Sequence, residues 1–371
     1  MHSGVETKAS YTFETGDYGI ATLIAPGDQI HFNGESLRPT QQNDNDDYFN
    51  LTGRGYSITD QIFKSVGGNI SIEAYYDDIN LIAAALGLSN LDTSPVDLLG
   101  GAWQHSFYFD DDKADRLQDT RDRATPVVDK PMKRRGTLSI DKGANVWQYS
   151  SAMVNTMTLN ADANGGVGFN FGIISRDIGM DQAPNTSSQF WAFNNPSDRD
   201  KDKVFFEDIK VWMADVTDPF PQDGDNLVCL NSFSITFDSH LSIQNDRDTN
   251  TLISQPWGRL GTITGDFNFP FFSDAQETAQ IQKLLDAEKV RIIVEFISDT
   301  TIASSAFKYG YTIDMKQTFL TTGGADVSGP SVIPTQLNFI ADRTPTSLTT
   351  DVPNDVEFLI RNQVSANPLE Y

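Results

Sequence analysis

Residues 68–87, GNISIEAYYDDINLIAAALG, combine two hydrophobic periods from which we predict the fold of the whole chain. Ile70, Ile72 and Ala74 alternate with polar residues, which is the period of a strand with one buried face. One of the two aspartates that follow can cap a helix by accepting hydrogen bonds from its first N–H groups. Beyond them the apolar residues recur at helical spacing. The stretch therefore predicts a strand that leads directly into a short helix.

A second stretch, residues 261–288, repeats the same arrangement. Ile263, Phe267 and Phe269 share one face of a predicted strand, and Ser273 opens a predicted helix with a capping box. Further strands and a glycine-rich hairpin follow each stretch in the same order. Two such units in one chain predict a tandem duplication.

The expected architecture is mainly β, with two tandem duplicated β-sandwich or barrel domains that each carry a short flanking α-helix. The first domain is expected at residues 26–185 and the second at 186–345, each with its own core, separated by a polar, turn-rich stretch. Residues 1–25 and 346–371 lack a long hydrophobic period and are predicted to be terminal arms. Residues 88–134 are predicted to form a long loop within the first domain.

Composition and charge exclude several classes of function. The 371 residues carry a net charge of −24, whereas nucleic-acid binding needs basic clusters that neutralise phosphates. The single cysteine, Cys229, excludes an internal disulfide and is expected to be a small buried apolar group. Residues 1–13 have no signal-peptide pattern, and the longest apolar block, residues 81–88, is too short to cross a bilayer. We expect a soluble protein made in a cytoplasm.

The sequence contains no catalytic, cofactor-binding or metal-binding pattern that we can identify. The four histidines lack metal-ligand spacing, and an acidic run that begins at Asp246 lacks the glycine and glutamate of a calcium loop. Neither a phosphate-binding loop nor a nucleophile elbow occurs. A carbohydrate-active β-sandwich is an alternative, although the tryptophans that would line its cleft are scattered along the chain. We therefore predict neither an enzyme nor a cofactor.

Four features in chain order resemble the tail tube proteins, or major tail proteins, of long-tailed bacteriophages, specifically the two-domain tube family. They are the strand end Ser36-Leu37, the stretch 68–87, the hairpin formed by residues 154–171, and the closing segments 311–314, 332–334 and Asn338-Phe339. The resemblance covers residues 20–345. The long loop and the C-terminal arm depart from the compact pattern of that family.

The resemblance implies a structural virion protein of the tail, assembled in the host cytoplasm. Its domains would join edge to edge into a ring with a closed inner barrel, and stacked rings would form a conduit for genome ejection. Tubes of this kind have six-fold or pseudo-six-fold rings, so two domains per chain predict a trimeric ring, with a hexamer as the alternative. The implied partners are further copies of the chain, the tape measure protein, the tail terminator and baseplate or distal tail proteins. DNA would pass without specific binding, and no membrane is involved. Another ring-forming tail, baseplate or injection-machine protein is the alternative function.

The polar faces of the predicted strands provide candidates for the lining of such a tube, because an acidic wall repels phosphate. The candidate lumen-facing residues are Ser71, Glu73, Thr156, Thr158, Ser232, Ser234, Thr264 and Asp266. Glu73 and Asp266 lie at the same distance from the glycines that open their units, so we expect them to occupy equivalent positions. The alternative is that all eight lie on ordinary solvent-facing sides of antiparallel sheets.

The mixed charges of the long loop suit a contact with a neighbouring subunit. The candidate inter-subunit residues are Asp110, Asp111, Asp112, Arg116, Arg121 and Arg123.

Overall fold

The computed structural model describes most of the chain in separate ranges. These are residues 8–14, 18–25, 28–30, 32–50, 53–86, 92–97, 101–109, 135–143, 145–186, 203–216, 230–243, 256, 261–269, 282–325, 335–341 and 356–364. For residues 41–50, 53–64, 92–95, 108, 324–325 and 335 it describes the backbone alone.

The described ranges hold eighteen strands. They are β1 (Ala9–Phe13), β2 (Gln29–Ile30), β3 (Phe32–Glu35), β4 (Arg38–Asn50), β5 (Gly53–Glu73), β6 (Asp92–Asp97), β7 (Ala102–Tyr108), β8 (Arg135–Asp141), β9 (Val146–Asp162), β10 (Gly166–Ser175), β11 (Asp177–Met180), β12 (Ile209–Asp215), β13 (Ser232–Asp238), β14 (Thr262–Phe269), β15 (Lys289–Thr301), β16 (Lys308–Ala325), β17 (Thr335–Ala341) and β18 (Val356–Asn362). All the pairings between them are antiparallel, so the prediction of a mainly β protein is confirmed.

Eight strands form what we call the central sheet, in the order β3-β5-β10-β9-β13-β14-β17-β16. Two outer sheets share its longest strands. The first outer sheet has the order β2-β1-β8-β9-β11, and the second has the order β12-β15-β16-β18-β7-β6. Strands β9 and β16 each pass from an outer sheet into the central sheet. In β16 a register shift between Leu320 and Thr322 lies within its pairing with β17, and such irregularities bend a strand.

The two halves of the chain pair their strands in the same order. We call β1, β3, β5, β8, β9, β10 and β11 module 1, and β12 to β18 module 2. In module 1 the pairs are β1–β8, β8–β9, β9–β10, β9–β11, β10–β5 and β5–β3. In module 2 the pairs are β12–β15, β15–β16, β16–β17, β16–β18, β17–β14 and β14–β13. Shared topology is what a duplication would leave, and the duplication itself stays a prediction.

The hydrophobic core is continuous across both modules, which corrects our expectation of one core in each half. Buried residues from both modules belong to one contiguous cluster. The ring centroids of Phe169 in β10 and Tyr311 in β16 lie 6.1 Å apart, and those of Phe109 and Phe237 lie 5.6 Å apart. The cores merge because β9 pairs with β13, which makes the inner faces of the two modules one surface.

Helix α1 (Asn80–Leu86) follows β5 as predicted, and all its residues from Leu81 to Leu86 are buried. Of the second predicted helix, the structure describes a helical turn at residues 282–285, whose Leu285 is 73 % exposed. Ser273, its predicted cap, lies outside the described residues. In the described part of the chain, neither helix has the length and apolar character needed to cross a membrane.

Four segments differ from their predicted secondary structure. The predicted long loop at residues 88–134 contains two strands, β6 and β7. Each predicted terminal arm contains a strand, namely β1 in residues 1–25 and β18 in residues 346–371. The segment Arg38–Asn50, whose many Asn and Asp side chains suggested a loop, is strand β4 of a long hairpin with β5. Cross-strand pairing forms these strands despite weak local signals, because strand propensity depends on the neighbours that a strand packs against.

Candidate functional site: the polar face of the central sheet

One face of the central sheet is polar over its whole width, and we call it the polar face. Its strands alternate buried apolar residues with exposed or half-buried polar ones, as in β13 and β14. Since successive side chains of a strand point to opposite sides, the apolar residues face the core and the polar residues face away from it. The polar face is therefore the side of the central sheet that points away from the hydrophobic core and from the outer sheets.

All eight candidate residues lie on the polar face. Ser71 and Thr264 are exposed, and the other six are half-buried. One row of paired residues crosses seven strands in the order Glu73, Gly168, Asn160, Ser234, Asp266, Asn338 and Thr322. A second row runs through Ser71, Asn170, Thr158, Thr236 and Thr264. Thr156 pairs with Asp238, and Ser232 pairs with Asp162, beside these rows.

The charged side chains that the described central-sheet strands place on this face are carboxylates. They are Glu73, Asp162, Asp238 and Asp266. Glu73 and Asp266 are four strand steps apart, or about 19 Å at about 4.8 Å per step. Lys203, which lies outside these strands, forms an ion pair with Glu73 at 2.9 Å. Burial raises the pKa of Asp266 above its ordinary value. The face presents spaced negative charges to whatever lies above it.

Hydroxyl and amide groups fill the space between the carboxylates. The Oγ1 atoms of Thr158 and Thr236 lie 3.0 Å apart across the junction of the modules. Gln336 Nε2 donates to Asn338 Oδ1 at 3.3 Å, and Asn338 in turn donates to Thr322. In β10, Gly168 and Gly172 lie on either side of Asn170 on this face and add no side chain. Because these groups are short and polar, most of the width of the polar face has no apolar patch.

The register corrects one expected correspondence between the two units. Asn170 pairs with Ser71, and Asn338 pairs with Asp266, so matching the two Asn-Phe pairs makes Ser71 the counterpart of Asp266. Glu73 is then displaced by two residues from the position we expected for it. The displacement is even, so Glu73 and Asp266 still lie on one face. The opening glycines were a poor reference point because Gly68 lies inside β5, whereas Gly261 directly precedes β14.

Several residues of the face were not among the eight candidates. They are Asn160, Asp162, Asn170, Thr236, Asp238, Asn268 and Asn338. The sequence carries a signal for them, because each is next to a buried apolar residue in its own strand. The six candidate inter-subunit residues, Asp110, Asp111, Asp112, Arg116, Arg121 and Arg123, lie outside the described residues. Within the ranges that the structure describes, no group of three or more His, Cys, Asp or Glu could hold a metal ion.

The chain matches no model of a known protein family, and a search of curated proteins finds no match.

Proposed function

We propose that this chain is a structural subunit that assembles into rings, and that the rings stack into the tail tube of a long-tailed bacteriophage. The polar face of the central sheet would line the bore, through which the genome is ejected. The observation that carries the proposal is the eight-stranded polar face, on which the charged strand residues described are all carboxylates.

The charge of the face suits a conduit for DNA better than a binding site for it. Proteins that hold DNA neutralise its phosphates with lysine and arginine, and each neutralised phosphate strengthens binding. Spaced carboxylates instead repel the phosphates and keep the duplex away from the wall. The short hydroxyl and amide side chains between the carboxylates bind water and present no apolar surface to which DNA could adhere. DNA would therefore pass without specific contacts.

The two modules favour a ring of three chains. Three chains supply six modules with the same strand order, which gives a pseudo-six-fold ring with three-fold symmetry. A hexamer of chains would contain twelve modules and is the alternative. In a tail, the partners of this subunit would be further copies, the tape measure protein, the terminator, and baseplate or distal tail proteins.

Negative-stain electron microscopy of the purified protein over a range of concentrations tests the proposal. Stacked tubes with a central channel are expected. Single rings that never stack would favour a terminator, baseplate or injection-machine ring instead. Monodisperse small particles at every concentration would contradict assembly and favour a monomeric β-sandwich.

Charge reversal on the polar face tests the position of the bore. The double variant Glu73→Lys, Asp266→Lys should still form tubes, because both positions lie outside the hydrophobic core. Its tubes should retain short duplex DNA in co-sedimentation at low salt, and this retention should fall as salt rises. In phage particles the same variant should slow ejection.

The matched control makes the same charge change at two residues outside the strands of the central sheet. Asp286→Lys with Glu288→Lys alters two exposed carboxylates beside the helical turn at 282–285. These tubes should retain no more DNA than the wild type. Equal retention by the two double variants would show that Glu73 and Asp266 do not line the bore.

A further inference from the structure

The two modules meet at a strand pair that the molecule contains once. Strand β9 of module 1 pairs with β13 of module 2, from Ser232 with Asp162 to Asp238 with Thr156. We call this pair the internal joint. At its centre Thr158 and Thr236 are directly opposite each other, and their hydroxyls are hydrogen-bonded at 3.0 Å. The joint makes one eight-stranded sheet from two four-stranded ones.

The counterparts of the two strands in the internal joint form the two ends of the central sheet. Among the described residues, neither end has a further partner strand. Strand β3 is the counterpart of β13, and among the strands that the structure describes it pairs with β5 alone. Strand β16 is the counterpart of β9, and its residues 320–325 pair with β17 alone in the described part of the chain. Each end of the sheet is thus one half of an internal joint.

An exposed strand edge presents N–H and C=O groups that can pair with another chain. In the single chain the Leu37 N–H donates to Glu35 Oε2 at 2.6 Å, and pairing with a second chain would replace that bond. We propose that β16 of one chain pairs antiparallel with β3 of a second copy and with Ser36 and Leu37, which directly follow β3, in the register of the internal joint. The inference rests on the proposed self-assembly and names the contact that produces it. Because the two edges differ, the contact is head-to-tail, and it closes a ring when the rotation per chain divides a full turn.

The module correspondence assigns the register. With Ser71 matched to Asp266, Ser36 is the counterpart of Thr236 and Leu37 that of Phe237. With Asn170 matched to Asn338, Thr322 is the counterpart of Thr158 and Leu320 that of Met157. The pairs Thr158–Thr236 and Met157–Phe237 of the internal joint then predict two pairs between chains. They are Thr322 with Ser36, and Leu320 with Leu37.

The chemistry of the predicted pairs is consistent with this register. Thr322 and Ser36 repeat the paired hydroxyls of the internal joint, and Leu37 and Leu320 are both buried on the core side, as Phe237 and Met157 are. The contact ends at the pair of Leu320 with Leu37, because Phe319 already pairs with Lys289 of β15 and with Ile340 of β17.

Disulfide cross-linking tests the register directly. In a Cys229→Ser background, the double variant Ser36→Cys, Thr322→Cys is oxidised under mild conditions and run on a non-reducing gel. We expect covalent multimers that end at a closed ring, which is a trimer for the proposed stoichiometry. Each single-cysteine variant should give no multimers, because neither edge meets its own copy.

Two matched controls come from the chain itself. Thr158→Cys with Thr236→Cys places the same chemistry at the internal joint and should give a disulfide within one chain, without multimers. Glu35→Cys with Thr322→Cys moves one thiol to the opposite face and should lower the multimer yield at least tenfold.

The outcomes separate this inference from the proposed function. Rings in the microscope without multimers from Ser36→Cys, Thr322→Cys, while the internal disulfide forms, would overturn the joint and leave the function standing. Cross-linked closed rings that never stack into tubes would support the joint and overturn the tube. Multimers from a single-cysteine variant would contradict the head-to-tail contact.

Discussion

Module 1 and module 2 pair their strands in the same order, but they differ in what surrounds those strands. Module 1 carries the long β4–β5 hairpin, the fully buried helix α1 and the β6–β7 insertion. Between the helical turn at 282–285 and β15, module 2 has a three-residue connection instead of an insertion. The strand order is therefore the same in the two modules although the connections between the strands differ greatly, and part of the module 1 connection lies in the core.

The insertion of module 1 also completes module 2. Strand β7 pairs with β18, so the second outer sheet continues into module 1. His105 Nε2 donates to Asn362 Oδ1 of β18 at 3.0 Å, and Asn362 Nδ2 donates to the Tyr76 carbonyl at 2.8 Å. The Tyr311 hydroxyl donates to the Tyr75 carbonyl. These bonds connect module 2 to residues 75–76 and 105 of the module 1 half.

The largest expected effect on stability comes from truncating side chains at equivalent core positions of the two modules. Phe267, whose ring centroid lies 5.1 Å from that of Phe233 and 5.0 Å from that of Phe339, is the counterpart of Ile72. Phe267→Ala should lower the free energy of unfolding by about 3–5 kcal/mol, and Ile72→Ala by about 2–5 kcal/mol. Because the core is continuous, both variants should shift one common transition in chemical denaturation followed by fluorescence and circular dichroism. Two transitions, with each variant shifting only one, would show that the modules unfold independently.

A smaller effect is expected from the link between the modules. Asn362 is fully buried, and its side chain bonds to His105, to Tyr76 and to the Val364 N–H. Asn362→Ala removes these bonds, while His105 Nε2 keeps its contact with the Val364 carbonyl at 3.0 Å. A buried polar group that loses its partner costs about 1–3 kcal/mol. We expect a loss of about 2–3 kcal/mol of stability in denaturant titration.

The neighbouring Gln363 provides the matched control for this link. It is exposed and makes one long bond to Asp77, at 3.5 Å. Gln363→Ala should change stability by no more than about 0.5 kcal/mol. Equal losses from the two substitutions would mean that the buried amide does not connect the modules.

The smallest expected effect is on stability at neutral pH and comes from Asp266, whose counterpart in module 1 is the uncharged Ser71. Burial raises the pKa of the Asp266 carboxyl in the folded protein, so ionisation is disfavoured there relative to the unfolded chain. Above the raised pKa the ionised Asp266 therefore lowers the free energy of unfolding of the wild type. This loss vanishes as the pH falls below the ordinary pKa of 3.8. Asp266→Asn should be more stable at neutral pH by about 0.5 kcal/mol or less, with no difference at the acid end. A gain that persists in acid would have another cause.

Much of the polar face could be predicted from single strands. Alternation in residues 262–269 and 232–238 placed Thr264, Asp266, Ser232 and Ser234 on one side, and the structure keeps them there. The predicted equivalence of Glu73 and Asp266 was wrong by two residues, because register depends on the partner strand. Strand β18 was missed although Val356, Phe358 and Ile360 alternate in it, since a short period beside prolines is a weak signal.

The amino-acid sequence by itself determined where most strands lie and which side of each is buried, because side-chain hydrophobicity alternates along the chain. The tertiary structure alone decided that β9 lies beside β13, that β7 lies beside β18, and that two expected cores are one. The physical reason is that strands are joined by backbone N–H and C=O groups. These groups are nearly identical in every residue, so a strand's own sequence carries little record of its neighbour.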